Sequence, residues 1–409
     1  MTTVNEPVWR TALSGAQILF VAFGATVLVP LLTGLNPSLA LLGAGVGTLI
    51  FQICTKRQVP IYLGSSFAFI APVIYSVKTW GMPATLGALA AASFFYYVAA
   101  GLVKWRGVNF IHRLLPPVVI GPVVMVIGLG LAQVAINMAT GKAGDQQVVP
   151  YGTALSVAAI SLLATMITAI RAKRLLKLVP ILVGVAVGYV VSLFLGIVDF
   201  SKVTEAAWIA VPEFGKPEFN MAAILFMIPV AIAPIVEHVG GILAIGSVTG
   251  KDFTESPGLH RTLLGDGLAV NIVGLFGGPP VTTYGEVTGA VMLTKNYNPV
   301  VMTWAAVFAI LMAFVGKFGA FLQTIPMPVM GGIMMLLFGS IAGIGLKTIM
   351  DGRVDLASPR NLCIVSVTLV TGIGGLGVTI GSFSLQGISL CGVLAVLLNL
   401  VLPREPAAA

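Results

Sequence analysis

A chain of 409 residues that is 57% hydrophobic and 9% charged, with a mean hydropathy of +1.03, cannot cover a water-facing surface; soluble domains carry roughly 25% charged residues. Its formal net charge of +8 would suit a nucleic-acid partner if the cations clustered, but they are dispersed as loop anchors, so nucleic acid is excluded. Long apolar runs stand where an outer-membrane barrel would alternate polar and apolar residues, which excludes a barrel.

The first ten residues, MTTVNEPVWR, have no basic region ahead of a short apolar core and cleavage site, so the first span is expected to remain as an anchor. Fourteen apolar segments follow, at roughly 11–33, 38–55, 60–77, 82–102, 114–139, 152–170, 178–198, 221–246, 262–278, 280–294, 298–316, 325–345, 360–379 and 384–402. They predict an all-α polytopic membrane protein. Gly 48 and Pro 24 also suit transmembrane helices. The longest connection, 199–220, holds Asp199, Glu205, Glu213 and Glu218 with Lys202 and Lys216 and has room for a short surface helix. Cys54, Cys363 and Cys391 lack metal-ligand spacing and read as small core residues. No metal, cofactor or enzymatic centre is expected, because no ligand cluster, nucleophile–base spacing or phosphate loop is present.

With the N-terminus in the cytoplasm and sides alternating, 17 of the 22 Lys and Arg fall on inner loops and 5 on outer ones. Arg171, Lys173, Arg174 and Lys177 form one inner cluster, and Arg404 lies in the inner C-terminal tail. This asymmetry predicts both termini inside the cytoplasmic membrane. The stretch Pro116–Met125 (PPVVIGPVVM) is echoed at Pro326–Met335 (PMPVMGGIMM), 210 positions later. By the same topology the first runs outward and the second inward, the pattern of a seven-plus-seven inverted repeat.

Of the fourteen acidic residues, only Glu237, Asp266 and Glu286 fall within spans, where no Lys or Arg can pair with them. Intramembrane carboxyls are costly and mark function by default. Without a cation, each must face water or hold a proton, or else bond a neighbouring helix; that last role suits Asp266, between two glycines, better than the other two. His238 adjoins Glu237 but points about 100° away round a helix. It could relay a proton or bond a neighbouring helix. His112 and His260 sit at loop edges beside arginines.

Two segments are poor helices: Pro60–Pro72 (PIYLGSSFAFIAP) and Gly277–Gly289 (GGPPVTTYGEVTG). Each mixes Gly, Pro, hydroxyl residues and aromatics at membrane depth, at a separation of about 218, close to the repeat offset. They are either kinked helices or extended backbone lining a cavity, since free N–H and C=O groups persist at this depth only there. A flat nucleobase, with alternating donors and acceptors, would satisfy such backbone, and two carboxylates would accept its ring N–H groups.

At these residues the sequence resembles the nucleobase–ascorbate transporters (nucleobase:cation symporter-2), and most of all the bacterial uracil permeases. Its landmarks are Phe23–Pro30, Tyr62–Phe69, Glu237–Gly240, Pro257–Arg261, Thr282–Glu286 and Pro326–Gly332, with Gly289 and Thr294-Lys295 completing the family signature after Glu286. The resemblance implies fourteen spans with short paired strands in spans 3 and 10. It implies a core domain of spans 1–4 (11–102) and 8–11 (221–316), and a gate domain of spans 5–7 (114–198) and 12–14 (325–402). It implies proton symport of a nucleobase, uracil or else xanthine or another purine base, and a homodimer through the gate domains. Glu237 and Glu286 would hold the base, helped by backbone amides of Phe67 and Gly285 on the strands. Ala25, Phe67 and Tyr284 would pack against it, and Glu237, Glu286 and His238 would couple the proton.

The chain departs from the family at four places. Val287 replaces the signature Asn, Gln17-Ile18 the usual Gln-His pair, and Gly241 a second histidine one turn after Glu237. Phe338 stands where a gate tyrosine can face the base. An anion carrier of the same broad architecture is the alternative, but two glutamates repel an anion.

Overall fold

The computed structural model describes residues 7–143, 146–173, 176–177, 179–380 and 383–403. Residues 1–6, and Arg174 and Arg404 among the inner-loop cations, lie outside the described residues.

The chain opens with α1 (Val8–Thr33) and α2 (Pro37–Cys54). Asn36 starts α2 by accepting the Ser38 N–H, with Pro37 at the first helical position, where a missing N–H costs nothing. The third segment is not a helix throughout. It runs extended into β1 (Leu63–Ser65), makes one 3-10 turn at Phe67–Phe69 and enters α3 (Ile70–Arg106). Gly81, at φ 83° and ψ 169°, breaks α3 into two arms between the expected third and fourth segments.

Next come α4 (Val108–Leu114), α5 (Pro117–Leu129) and α6 (Ala132–Ala139), so the fifth segment is interrupted at Gly130-Leu131. A small hairpin, β2 (Lys142–Ala143) with β3 (Gln146–Gln147), precedes α7 (Tyr151–Arg171) and α8 (Pro180–Phe194). The expected surface helix is α9 (Ser201–Glu205), with no buried residue. Asp199 starts it by accepting the Ser201 N–H and hydroxyl, which holds its carboxyl below the usual range.

The second half has α10 (Met221–Met227), a 3-10 turn around Pro229, α11 (Ile232–Thr249) and α12 (Leu259–Leu275). Then follow β4 (Val281–Thr283), α13 (Gly285–Thr294), α14 (Val300–Ala313), α15 (Gly316–Gln323) and α16 (Met327–Asp351). Helix α17 (Pro359–Ile373) ends six residues before the expected 379. Gly374 and Gly375, the latter at φ 67°, stop it, and the chain turns into a hairpin of β5 (Gly377–Ile380) and β6 (Phe383–Gln386) before α18 (Gly387–Val401). Among the described residues, seven helical stretches are long and apolar enough to cross a membrane, and four apolar helices are shorter. This is a multi-pass membrane protein, mostly helical, with minor strands.

Two sets of helices pack closely. In the first, α12 lies on α3 and α2, and α14 on α1 and α2; in the second, α16 lies on α5, α6 and α7, and α17 on α5 and α18. Gly121 and Gly345 let α5 and α16 approach backbone to backbone, which lipid-embedded helices favour. Segment 206–220 is stitched along the first set. Ala210 N–H donates to Phe314 O at 3.0 Å, Gly215 N–H to Phe276 O at 3.0 Å and Glu218 N–H to Pro83 O at 2.9 Å.

Strands β1 and β4 pair antiparallel, Leu63 opposite Thr283 and Ser65 opposite Val281. Ser66 N–H to Pro280 O (2.8 Å) and Tyr284 N–H to Tyr62 O (3.3 Å) extend the ladder. Two strands cannot satisfy their outer edges alone, and neighbouring helices bond β1 and the extended chain before it. Thr48 Oγ1 accepts the Leu63 N–H at 2.9 Å, Ser65 Oγ donates to Thr26 O at 2.8 Å, and Gln52 donates to Val59 O at 2.8 Å. The Tyr284 ring lies across Gly64, and its hydroxyl donates to Ser65 O at 2.9 Å. A Cβ at Gly64 would run into that ring. Gly64→Ala is therefore expected to cost about 1–3 kcal/mol through overpacking, read as lower folded yield and a lower Tm in detergent; an unchanged Tm would contradict this close packing.

Candidate functional site

Glu237 stands on α11 and Glu286 is the second residue of α13. Both keep accessible surface although strongly buried residues surround them: Val236 and His238 flank Glu237, and Val287 follows Glu286. Glu237 lies within electrostatic reach of Glu286 and Asp266, and its Oε2 is buried without a hydrogen-bond partner. The Glu286 carboxylate takes its own main-chain N–H. A buried acceptor left unpaired is expensive, so such atoms cluster where something else binds.

Phe67 and Gly285 do not lie on the strands. Each stands two residues past its strand, Phe67 opening the 3-10 turn and Gly285 opening α13. The first N–H of a helix has no partner within it. No main-chain acceptor faces either N–H among the described residues, so two donors remain at the strand ends. A strand amide would instead be consumed by the ladder, which is why these residues, and not their neighbours on β1 and β4, carry the unused groups. Gly285 is exposed, and a Cβ there would meet only Ile344 Cδ1, at 3.9 Å.

Aromatic side chains surround this point. The rings of Phe67 and Tyr284 are nearly parallel, 9° apart with centroids at 6.4 Å, and Phe338 of α16 stands edge-on to Phe67 at 6.0 Å. Ala25, Phe67, Tyr284 and Phe338 are all buried. The structure thus brings together every candidate from the two broken segments, and Phe338 joins them from the second helix set. A cavity of about 200 Å³ leads away from Glu286 between α1, the start of α8 and α13, lined by Phe20, Val21, Lys177, Ile181, Glu286 and Gly289.

His238 turns away from Glu237 and bonds a neighbouring helix. Its Nδ1 lies 3.0 Å from Asp266 Oδ2 and its Nε2 3.0 Å from Thr262 Oγ1, one turn apart on α12. The Asp266 contact has ion-pair length. The Thr262 hydroxyl donates its one proton to Leu259 O at 3.0 Å. Sequence could not join His238 to Asp266 across 28 positions; the only signal was that both are titratable at membrane depth. Gly241, where the family can carry histidine, has a local reason: a Cβ there would stand 2.9 Å from Thr283 Oγ1, so β4 occupies the space.

The Permease family model matches residues 10–381. The chain is 57% identical over 410 residues to the probable uracil permease of Pasteurella multocida, covering 99% of this chain and 98% of that one. It is 47% identical to the uracil permease of Bacillus caldolyticus, covering 96% and 92%. Among solved structures, SLC26A9 superposes with TM-score 0.71 at 13% identity, over 98% of this chain and 66% of that one. The transmembrane domain of a cyanobacterial bicarbonate transporter, BicA, gives 0.66 at 15% identity, over 95% and 96%. Likeness at such identity concerns the fold alone. Sequence similarity of this extent, together with the signature residues gathered at the strand ends, makes the chain a member of the Permease family, the nucleobase:cation symporter-2 group.

Proposed function

We propose that this chain carries uracil across the cytoplasmic membrane together with a proton. The observation that carries it is the pairing, at one point, of two carboxylates, Glu237 and Glu286, with the unused N–H groups of Phe67 and Gly285. Uracil presents ring N–H donors beside carbonyl acceptors on one flat edge. Carboxylates accept the former and main-chain amides donate to the latter. Phe67, Tyr284 and Ala25 pack against the ring, and Phe338 closes it from the gate side. Relatives named uracil permeases, at 57% and 47% identity, support uracil over xanthine. Two glutamates disfavour an anion, so the likeness to a bicarbonate transporter is one of architecture.

The two helix sets act as core (11–102 and 221–316) and gate (114–198 and 325–402), in fourteen segments related as a seven-plus-seven inverted repeat with both termini cytoplasmic. Their separate packing supports this division. Two copies associate through the gate. Movement of the gate past the strand pair opens the base to one side and then the other. Glu237 and Glu286 have no cationic partner in the spans, so at least one gains and loses a proton in the cycle. His238 holds α11 to α12 and so sets the direction of Glu237.

In vesicles, acid on the outer face is expected to drive accumulation of labelled uracil, with cold uracil competing better than xanthine. Persistence of accumulation after the pH gradient and membrane potential are dissipated, with loss on removing Na⁺, would show a different coupling ion.

A further inference from the structure

We infer that Lys177 promotes release of the coupling proton from Glu286 on the cytoplasmic side. This rests on the reading of the chain as a proton-coupled uracil carrier with Lys177 on an inner loop. Lys177 and Glu286 line the same cavity of about 200 Å³. The side chains between them are apolar, among them Phe20, Val21, Ile181 and Leu293, and Gly289 leaves the space open: a Cβ there would meet nothing within 4 Å. Low-dielectric walls focus the field of a single charge along such a passage. Lys177 is the one cation among the described residues that line the cavity. Among the described residues it forms no ion pair.

The other charged or titratable groups around Glu286 act in the opposite sense or not at all. Among the described residues, Glu237 of α11 is a carboxyl with Asp266 of α12 on its far side, and the Tyr284 hydroxyl donates to Ser65 O. The cavity faces of α1 and of α8 from Pro180 onward carry no charged residue, and Lys295 lies beyond the end of α13. When the base has left, Glu286 must pass its proton to water, becoming a carboxylate beside another carboxyl. That product is unfavourable unless a positive charge faces it. Lys177 supplies the charge only where the cavity joins Glu286 to the inner surface, so it favours the carboxylate on the side where the proton must leave. It is a positioning charge outside the base's own contacts.

The test compares wild type, Lys177→Gln and Lys177→Arg in vesicles, with labelled uracil as probe. Net uptake driven by external acid requires proton release inside; uracil–uracil exchange at equal pH requires none. Lys177→Gln is expected to slow net uptake about tenfold at acid internal pH, equivalent to about one unit in the carboxyl's charge balance. The deficit should shrink as the interior becomes alkaline, with exchange and uracil affinity unchanged, and Lys177→Arg should restore uptake. Wild-type net uptake by Lys177→Gln at every internal pH would overturn the inference. So would exchange falling in parallel with net uptake, which marks a structural role. Absence of proton-driven uptake in the wild type would instead remove the symport reading itself.

Discussion

Gly285→Val is expected to weaken uracil binding severely in a protein that folds and inserts normally. Gly285 is not a glycine demanded by backbone geometry, because its φ lies outside the positive range and it opens an ordinary helix. Nor is it demanded by packing: a Cβ would make only an ordinary contact, 3.9 Å from Ile344 Cδ1. Gly64 on β1 is the contrast, since the place of its missing Cβ is occupied by the Tyr284 ring. What a valine at 285 would fill is the space in front of an unused N–H group, where the base is proposed to lie. Losing that hydrogen bond costs about 1–3 kcal/mol, and crowding the base adds a comparable amount. Together these, about 2–6 kcal/mol, weaken affinity roughly thirtyfold to more than ten-thousandfold. Phe67→Leu should be milder, because it keeps the amide and removes only ring contact. The measurement is equilibrium uracil binding to purified, monodisperse variants. Normal affinity in well-folded Gly285→Val would place the base elsewhere.

Much of this site was legible in sequence because its signals are local. Pro, Gly and hydroxyl residues at membrane depth cannot continue a helix, and they located both broken segments within a few residues of β1 and β4. Glu237 and Glu286 stood out because carboxyls there are rare. The misplacement of the Phe67 and Gly285 amides onto the strands has a physical cause. Composition reveals that helical bonding fails, but not where it resumes, and here it resumes two residues past each strand. The His238–Asp266 contact and the cavity joining Lys177 to Glu286 depend on how helices from distant parts of the chain face one another, which periodicity does not encode. The β5–β6 hairpin was hidden for another reason: Gly377–Ile380 is apolar enough to read as the end of a span, and only the glycines before it mark the stop.

Glu286→Gln and Glu237→Gln are each expected to eliminate proton-driven uptake while leaving insertion intact. Removing a carboxyl from a span lowers the cost of placing it in the bilayer, so loss of activity would not reflect failed insertion. Glutamine keeps the shape and one acceptor oxygen, but its amide presents a donor where the base also presents one, and it has no titratable proton. A hydrogen bond to a charged group is worth about 1.5–3 kcal/mol, so affinity should fall roughly 10–100-fold. Accumulation against a gradient should vanish at Glu286, which combines the base contact with the cavity toward Lys177. The two roles separate in one further comparison. If Lys177 acts through the Glu286 proton, adding Lys177→Gln to Glu286→Gln should change nothing more, because the group it acts on is gone. Exchange measured at saturating uracil gives that double variant a readout. An additional loss of exchange on removing Lys177 would mean that it acts independently of Glu286, and full accumulation by Glu286→Gln alone would end the two-carboxylate account.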